Sequence, residues 1–161
     1  MIISNFWGRV GLAAILTCGL PAFAAALPMG DDLSAAGREA RERRVPVLVV
    51  FTLRTCPYCA AAKRDYLEPM HASADWRRKV IVREIEVDSR QAMRDFAGQP
   101  TTQREFAGKQ EVKRVPTVIV FDDEGRRVAT PIIGLMSSDF YGLYLEQSID
   151  AGLTKLRSAR P

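Results

Sequence analysis

The chain has 161 residues, with 23 Lys and Arg against 19 Asp and Glu, a formal net charge of +4 and a single histidine. Acids and bases are interleaved, which describes a mixed, solvated surface and leaves no nucleic-acid footprint. Only three cysteines are present, too few for a disulfide-stapled scaffold, so the fold must rest on a hydrophobic core.

Residues 1–26 read as a secretory signal. Arg9 supplies positive charge, and Val10 to Leu20 is an apolar run too short to span a bilayer comfortably. Pro21 breaks the run. Ala22-Phe23-Ala24 is a small-x-small cleavage signature, with Ala24-Ala25-Ala26 as a second choice. An uncleaved N-terminal anchor is the alternative. A lipoprotein signal is disfavoured by Thr17 before Cys18. Cleavage would remove Cys18 and Arg9 but no acid, taking the charge from +4 to +3. Residues 27–161 then fit one domain with one core.

Asp31-Asp32-Leu33-Ser34 opens a helix that runs through Ala35 to Arg44, with bases crowding its C-terminal end, and Pro46 stops it. Val47 to Phe51 is a continuous apolar run, as expected of a central strand covered on both faces. A helix is expected from Pro57 through Ala60-Ala61-Ala62-Lys63-Arg64, kinked or divided at Pro69. Val80 to Val87 predicts a second strand. Asp88-Ser89 predicts the cap of a short helix reaching Phe96, with a break at Gly98-Gln99-Pro100 and another short helix over Thr101 to Ala107. Val118 to Phe121 predicts a third strand. Asp122-Asp123-Glu124-Gly125 signals a hairpin turn, and Arg126 to Ile133 the returning strand. Ser137-Ser138-Asp139 would cap a last helix with Phe140, Leu143, Tyr144, Ile149 and Leu153 as its apolar positions.

Chemistry concentrates at Cys56-Pro57-Tyr58-Cys59, at the junction of the first strand and the following helix. Two thiols at this spacing can close into a small disulfide, and a helix N-terminus favours the thiolate of the first. The loop between them is too short to restrain an unfolded chain, so a redox pair is a better reading than a staple. Zinc fits poorly, because His71 as the one histidine would leave the site a ligand short without a carboxylate.

The strand-to-helix placement of Cys-x-x-Cys, together with the later Val115-Pro116-Thr117 ahead of a strand, hairpin and final helix, resembles the thioredoxin superfamily over nearly all of residues 27–161. The resemblance implies a thioredoxin-like α/β fold: a central mixed sheet with helices on both faces. It implies that Pro116 is cis and lies against the cysteine pair, and that Val115 offers its backbone to an extended substrate segment. It also implies a redox-active Cys56–Cys59 disulfide and no other cofactor. Thiol chemistry then makes Cys56 the attacking thiolate and Cys59 the resolving thiol, with Thr55, Pro57 and Tyr58 tuning the site. Cys-Pro-Tyr-Cys is also the glutaredoxin pattern, but glutaredoxins are usually smaller and cytosolic.

Within the superfamily the chain is similar to exported thioredoxins of the SoxW type, which share a long stretch before the proline. Phe96 to Ala107 would be that extra material, covering a sheet face or sharing in partner choice. This likeness implies a periplasmic, monomeric reductase of protein disulfides, resupplied with electrons by a membrane protein of the DsbD/CcdA kind. A Dsb-like oxidase or isomerase, and a non-catalytic binding module, are the alternatives. Two positions depart from ordinary thioredoxins. Thr55 stands where a Trp precedes the first cysteine, and Val50 stands where a buried Asp assists the second. Glu84, on the neighbouring strand, is the candidate replacement as a proton relay, although an exposed strand-edge acid is the plainer reading.

Overall fold

Asp32 caps the first helix, α1 (Leu33–Arg43), its carboxylate accepting from the Ala35 N–H at 2.8 Å. Arg44 ends the helix in the left-handed region, at φ 55°. Strand β1 (Val47–Thr52) follows, and all of its side chains are buried. The computed structural model describes residues 26–135 and 138–158, so the expected leader, apart from Ala26, and the Ser137 cap lie outside the described residues. Among those residues, no helix is long and apolar enough to cross a membrane.

Strand β1 pairs in parallel with β2 (Ile81–Glu86), from Val47↔Ile81 to Thr52↔Glu86. On its other side it pairs antiparallel with β5 (Thr117–Phe121), from Val47↔Phe121 to Phe51↔Thr117. A short β6 (Ile132–Ile133) completes the sheet in the order β2-β1-β5-β6. Alternation along β1 sends Val49 and Phe51 to one face and Leu48, Val50 and Thr52 to the other.

The Phe51 face is covered by α1 and α5 (Gln103–Lys109). Phe51 stacks on Phe106 at 6.2 Å, and Phe96 joins Phe121 at 5.2 Å. Each such aromatic contact adds about 0.5–1.5 kcal/mol beyond burial. The Phe96 to Ala107 stretch therefore covers this sheet face. The Val50 face is covered by α2 (Pro57–Ala62), one π-helical turn (Lys63–Leu67), α3 (Glu68–Ala72) and α6 (Ser138–Ser158). The expected division at Pro69 takes the form of that π turn. Its wider loop precedes the proline, whose ring would otherwise meet the carbonyl four residues back. A short α4 (Ala74–Arg77) leads into β2.

Three expectations are corrected. Residues 89–96 do not form a helix but enter a hairpin of β3 (Ala92–Arg94) and β4 (Pro100–Thr102). The Arg94 N–H donates to the Asp31 carbonyl at 2.9 Å, and Met93 is buried between exposed Ala92 and Arg94. This non-local pairing and period of two override the local cap signal. Gly98 supplies the turn at φ 76°, where the Asp95 carboxylate accepts from the N–H groups of Ala97 and Gln99.

The returning strand over Arg126 to Ile133 is reduced to Ile132–Ile133. After the Val128 N–H donates to the Val120 carbonyl at 2.9 Å, the chain leaves the sheet, and Pro131 has no N–H with which to rejoin it. On α6, Tyr141, Leu145, Ile149 and Leu153 form the buried stripe. Phe140, Leu143 and Tyr144 instead face outward, at 53%, 46% and 40% exposure. The core contact of Tyr141, edge-on to Tyr66 at 5.1 Å, sets this rotation.

Helix α1 meets the Asp122–Gly125 turn at Gly37, where an added Cβ would lie 2.5 Å from the Asp123 carbonyl oxygen. Alanine gains about 1 kcal/mol in helix propensity over glycine. The clash is with backbone held by hydrogen bonds from the Glu124 and Arg126 N–H groups to the Asp122 carboxylate, so strain wins. Gly37→Ala is expected to lower stability by about 1–3 kcal/mol in urea denaturation. An unchanged or higher midpoint would contradict this packing.

Candidate functional site

The buried strand β1 ends at Thr52, and Leu53-Arg54-Thr55 carry the chain over the sheet edge to Cys56. Cys56 is the N-cap of α2, and Pro57 occupies the first turn, where its missing N–H costs nothing. The Cys59 N–H points at the Cys56 sulfur at 3.1 Å, and the α2, π and α3 segments continue in one helical run to Ala72. This places Cys56 where the helix dipole and free N–H groups stabilise a thiolate.

The two sulfurs are joined as a disulfide, with the Cα atoms 5.2 Å apart. Cys56 is partly exposed and Cys59 is 1% exposed. Only the first sulfur is therefore open to a partner, and only the second is shielded. Thr55 and Pro57 are exposed, and Tyr58 stands out at 67% exposure.

The Phe51↔Thr117 register sets Pro116 at the same end of the sheet as the cysteine pair. The Val115–Pro116 peptide bond is cis. Pro116 is buried, and its carbonyl accepts from the Gly134 N–H at 2.7 Å; Val115 remains partly exposed. Gly134 has φ 77°, a conformation that glycine adopts without strain. Thr117 donates its hydroxyl to the Arg114 carbonyl at 2.8 Å, which fastens the loop ahead of the proline.

Glu84 is not an exposed edge acid. It is 5% exposed and sits opposite Val50 in the β1–β2 register. The open side of β2 is covered by the N-terminal segment: the Glu84 N–H donates to the Pro28 carbonyl, and the Gly30 N–H to the Glu84 carbonyl. One Glu84 carboxylate oxygen accepts from the Thr52 hydroxyl at 2.7 Å and from the Lys63 ammonium at 2.8 Å. Lys63 lies four residues after Cys59, and its side chain is 30% exposed. The cation thus links a buried acid to solvent, one helical turn beyond the resolving cysteine.

Thr52 and Lys63 were not singled out from the sequence. Their signals were there: Thr52 shares the strand face of Val50, and Lys63 shares the helix face of Cys59. Neither signal identifies a partner until the two elements are stacked.

His71 stands apart on α3. Burial, then Arg77 and Arg83, hold its imidazole below the usual histidine range. Burial also pushes the Tyr141 hydroxyl up to about 12. Among the described residues, no group of three or more His, Cys, Asp or Glu could hold a metal ion.

A family model described as a thioredoxin-like domain matches residues 33–148. The chain belongs to the thioredoxin-like family. That family's chemistry is thiol–disulfide exchange, and this thioredoxin-like chain carries the Cys-x-x-Cys disulfide the chemistry uses. Solved structures share its fold. Trxlp from Edwardsiella tarda EIB202 is 24% identical with a TM-score of 0.52, over 75% of this chain and 98% of that one. Oxidised mitochondrial thioredoxin 3 from Saccharomyces cerevisiae is 16% identical with a TM-score of 0.53, over 79% and 96%. Reduced Schistosoma mansoni thioredoxin is 16% identical with a TM-score of 0.51, over 78% and 97%. A search of curated proteins returned no match.

Proposed function

We propose that this thioredoxin-like chain is an exported reductase of protein disulfides or mixed disulfides, similar to the SoxW type and acting in the periplasm as a monomer. The observation that carries the exchange chemistry is the asymmetry of the pair, with Cys56 partly exposed at the helix start and Cys59 buried behind it. The Cys56 thiolate attacks a client disulfide, forming a mixed disulfide and releasing one client thiolate. The Cys59 thiolate then attacks the Cys56 sulfur, closing the Cys56–Cys59 disulfide and releasing the second client thiolate. Two electrons pass from the dithiol to the client, and the two protons of the dithiol end on the client thiols.

Export is supported by Arg9, the apolar run to Leu20 and Ala22-Phe23-Ala24 in residues 1–26, which cleavage would remove. In an oxidising compartment the dithiol must be regenerated, and a membrane dithiol donor of the DsbD/CcdA kind would supply the electrons. No bound cofactor is needed beyond the cysteine pair. Val115 and Pro116 form the wall against which the client segment lies. Pro57, Tyr58 and Thr55 shape the rim around Cys56. Glu84 takes the part of the acid missing at Val50, receiving the Cys59 proton as the resolving step proceeds.

The direction of the reaction is read by the reduction potential. Equilibration with a glutathione buffer is expected to give a value of about −270 mV, as for a thioredoxin. A value of about −120 mV would replace the reductase with a Dsb-like oxidase.

A further inference from the structure

Beside the cis peptide lies a groove whose charge has no counterpart in the cysteine chemistry. It is a cavity of about 290 Å³ between the chain leading to Pro116 and the sheet edge at β6. Val112, Ile119 and Ile133 give it an apolar lining, and Ile133 is 52% exposed at its open side. Lys113, Arg114 and Arg127 are its cations, with Glu111 the one carboxylate residue lining it among the described residues. Lys113 and Arg114 are exposed.

Arg127 is held in place by neutral partners, donating to the Gln110 carbonyl at 2.6 Å and to the Gln110 side-chain oxygen at 3.2 Å. Among the described residues, no ion pair engages Lys113, Arg114 or Arg127. Away from the groove, Arg41 is paired with Asp123 and Arg126 with Asp122. The groove thus combines an apolar floor with uncompensated cations, directly ahead of the residues that would meet a client.

We infer that this groove selects the client: it takes the chain segment next to the client's reactive cysteine, and it favours a segment with an apolar side chain flanked by Asp or Glu. The inference rests on the thiol-exchange reading of Cys56. The apolar side chain removes the Ile133 and Val112 surface from water. The flanking carboxylates meet Lys113 and Arg114, which raises the encounter rate and disfavours basic segments.

The test uses the reduced protein and synthetic peptides carrying one cysteine in mixed disulfide with a chromogenic thiol. The peptides share a leucine and differ only in flanking Glu or Lys. At low salt the acidic peptide is expected to react with Cys56 about tenfold faster or more, and added salt should narrow the gap. Lys113→Glu with Arg114→Glu should reverse the order. Lys155→Glu with Arg157→Glu, an equal charge change in the last turn of α6 and outside the groove, should leave the order intact. Replacing the leucine by serine should slow the acidic peptide. Reduction of hydroxyethyl disulfide, which is small and uncharged, should be the same in all forms. Equal rates for the two peptides, an order unmoved by the Lys113 and Arg114 changes, or an order reversed equally by the distal pair would overturn the inference while leaving the exchange chemistry standing. Failure to reduce hydroxyethyl disulfide would overturn both.

Discussion

Cys56→Ser is expected to remove insulin-disulfide reduction by at least on the order of 10³-fold, the scale of loss when a covalent nucleophile is deleted. Cys59→Ser is expected to behave differently. Its Cys56 can still attack, but the mixed disulfide that forms has no buried thiol to release it, so the client stays attached. Denaturing electrophoresis without reductant should show the Cys59→Ser protein accumulating as adducts that dithiothreitol dissolves. Cys56→Ser should show none through its shielded Cys59, which is 1% exposed. The asymmetry follows from the positions of the two sulfurs, one at the N-cap and one a turn inside the helix. Equal adduct formation by both variants would contradict it. Wild type and Cys56→Ser both at the uncatalysed background of insulin reduction would instead reduce the chain to a binding module with the thioredoxin fold.

The elements that deliver these cysteines were legible in the chain because their signals are local and mutually consistent. Val47 to Phe51 is apolar without interruption and lies buried on both faces. Pro57 opens a helix at the position where a proline costs least. Asp32 caps α1, where the acids at its start predict a helix, whereas the helix expected from Thr101 begins at Gln103, with Thr102 as its cap and Glu105 returning the hydrogen bond.

What failed depended on partners far along the chain. Asp88-Ser89 looks like a helix cap, yet the segment after it extends because the Asp31 carbonyl is waiting for the Arg94 N–H. Phe140, Leu143 and Tyr144 are as apolar as the buried stripe of α6, and only the docking of Tyr141 on Tyr66 decides which side faces the core. Glu84 follows Arg83 in a strand, and two adjacent charges suggest an exposed edge. The cover from Pro28 to Gly30 and the arrival of Lys63 from another element make it a buried acid instead. The strand position that lacks an acid, Val50, thus faces a buried acid on the neighbouring strand.

The buried Glu84–Lys63 pair supports the second large effect. Lys63→Met should leave the Glu84 carboxylate, 5% exposed, with the Thr52 hydroxyl but no cation. Breaking a buried pair from one side costs about 3–5 kcal/mol. Lys63 keeps 30% of its side chain exposed, so water offsets part of this, and a loss of about 2–3 kcal/mol in urea denaturation is expected. Glu84→Gln in the same protein should recover much of that stability, because the neutral amide needs no cation.

Function should separate from stability at this point. Glu84→Gln alone replaces the proposed proton acceptor without opening a cavity. It should leave Cys56 attack on a disulfide unchanged while slowing release of the mixed disulfide by Cys59 by about tenfold or more near neutral pH. The pH dependence of that release step should change as well. Lys63→Met should slow the same step less, since the acid itself remains. Stopped-flow measurement of attack and release separates the two steps. If Glu84→Gln leaves both the rate and the pH dependence of release as in the wild type, the pair with Lys63 is structural, and the proton of Cys59 leaves by another route.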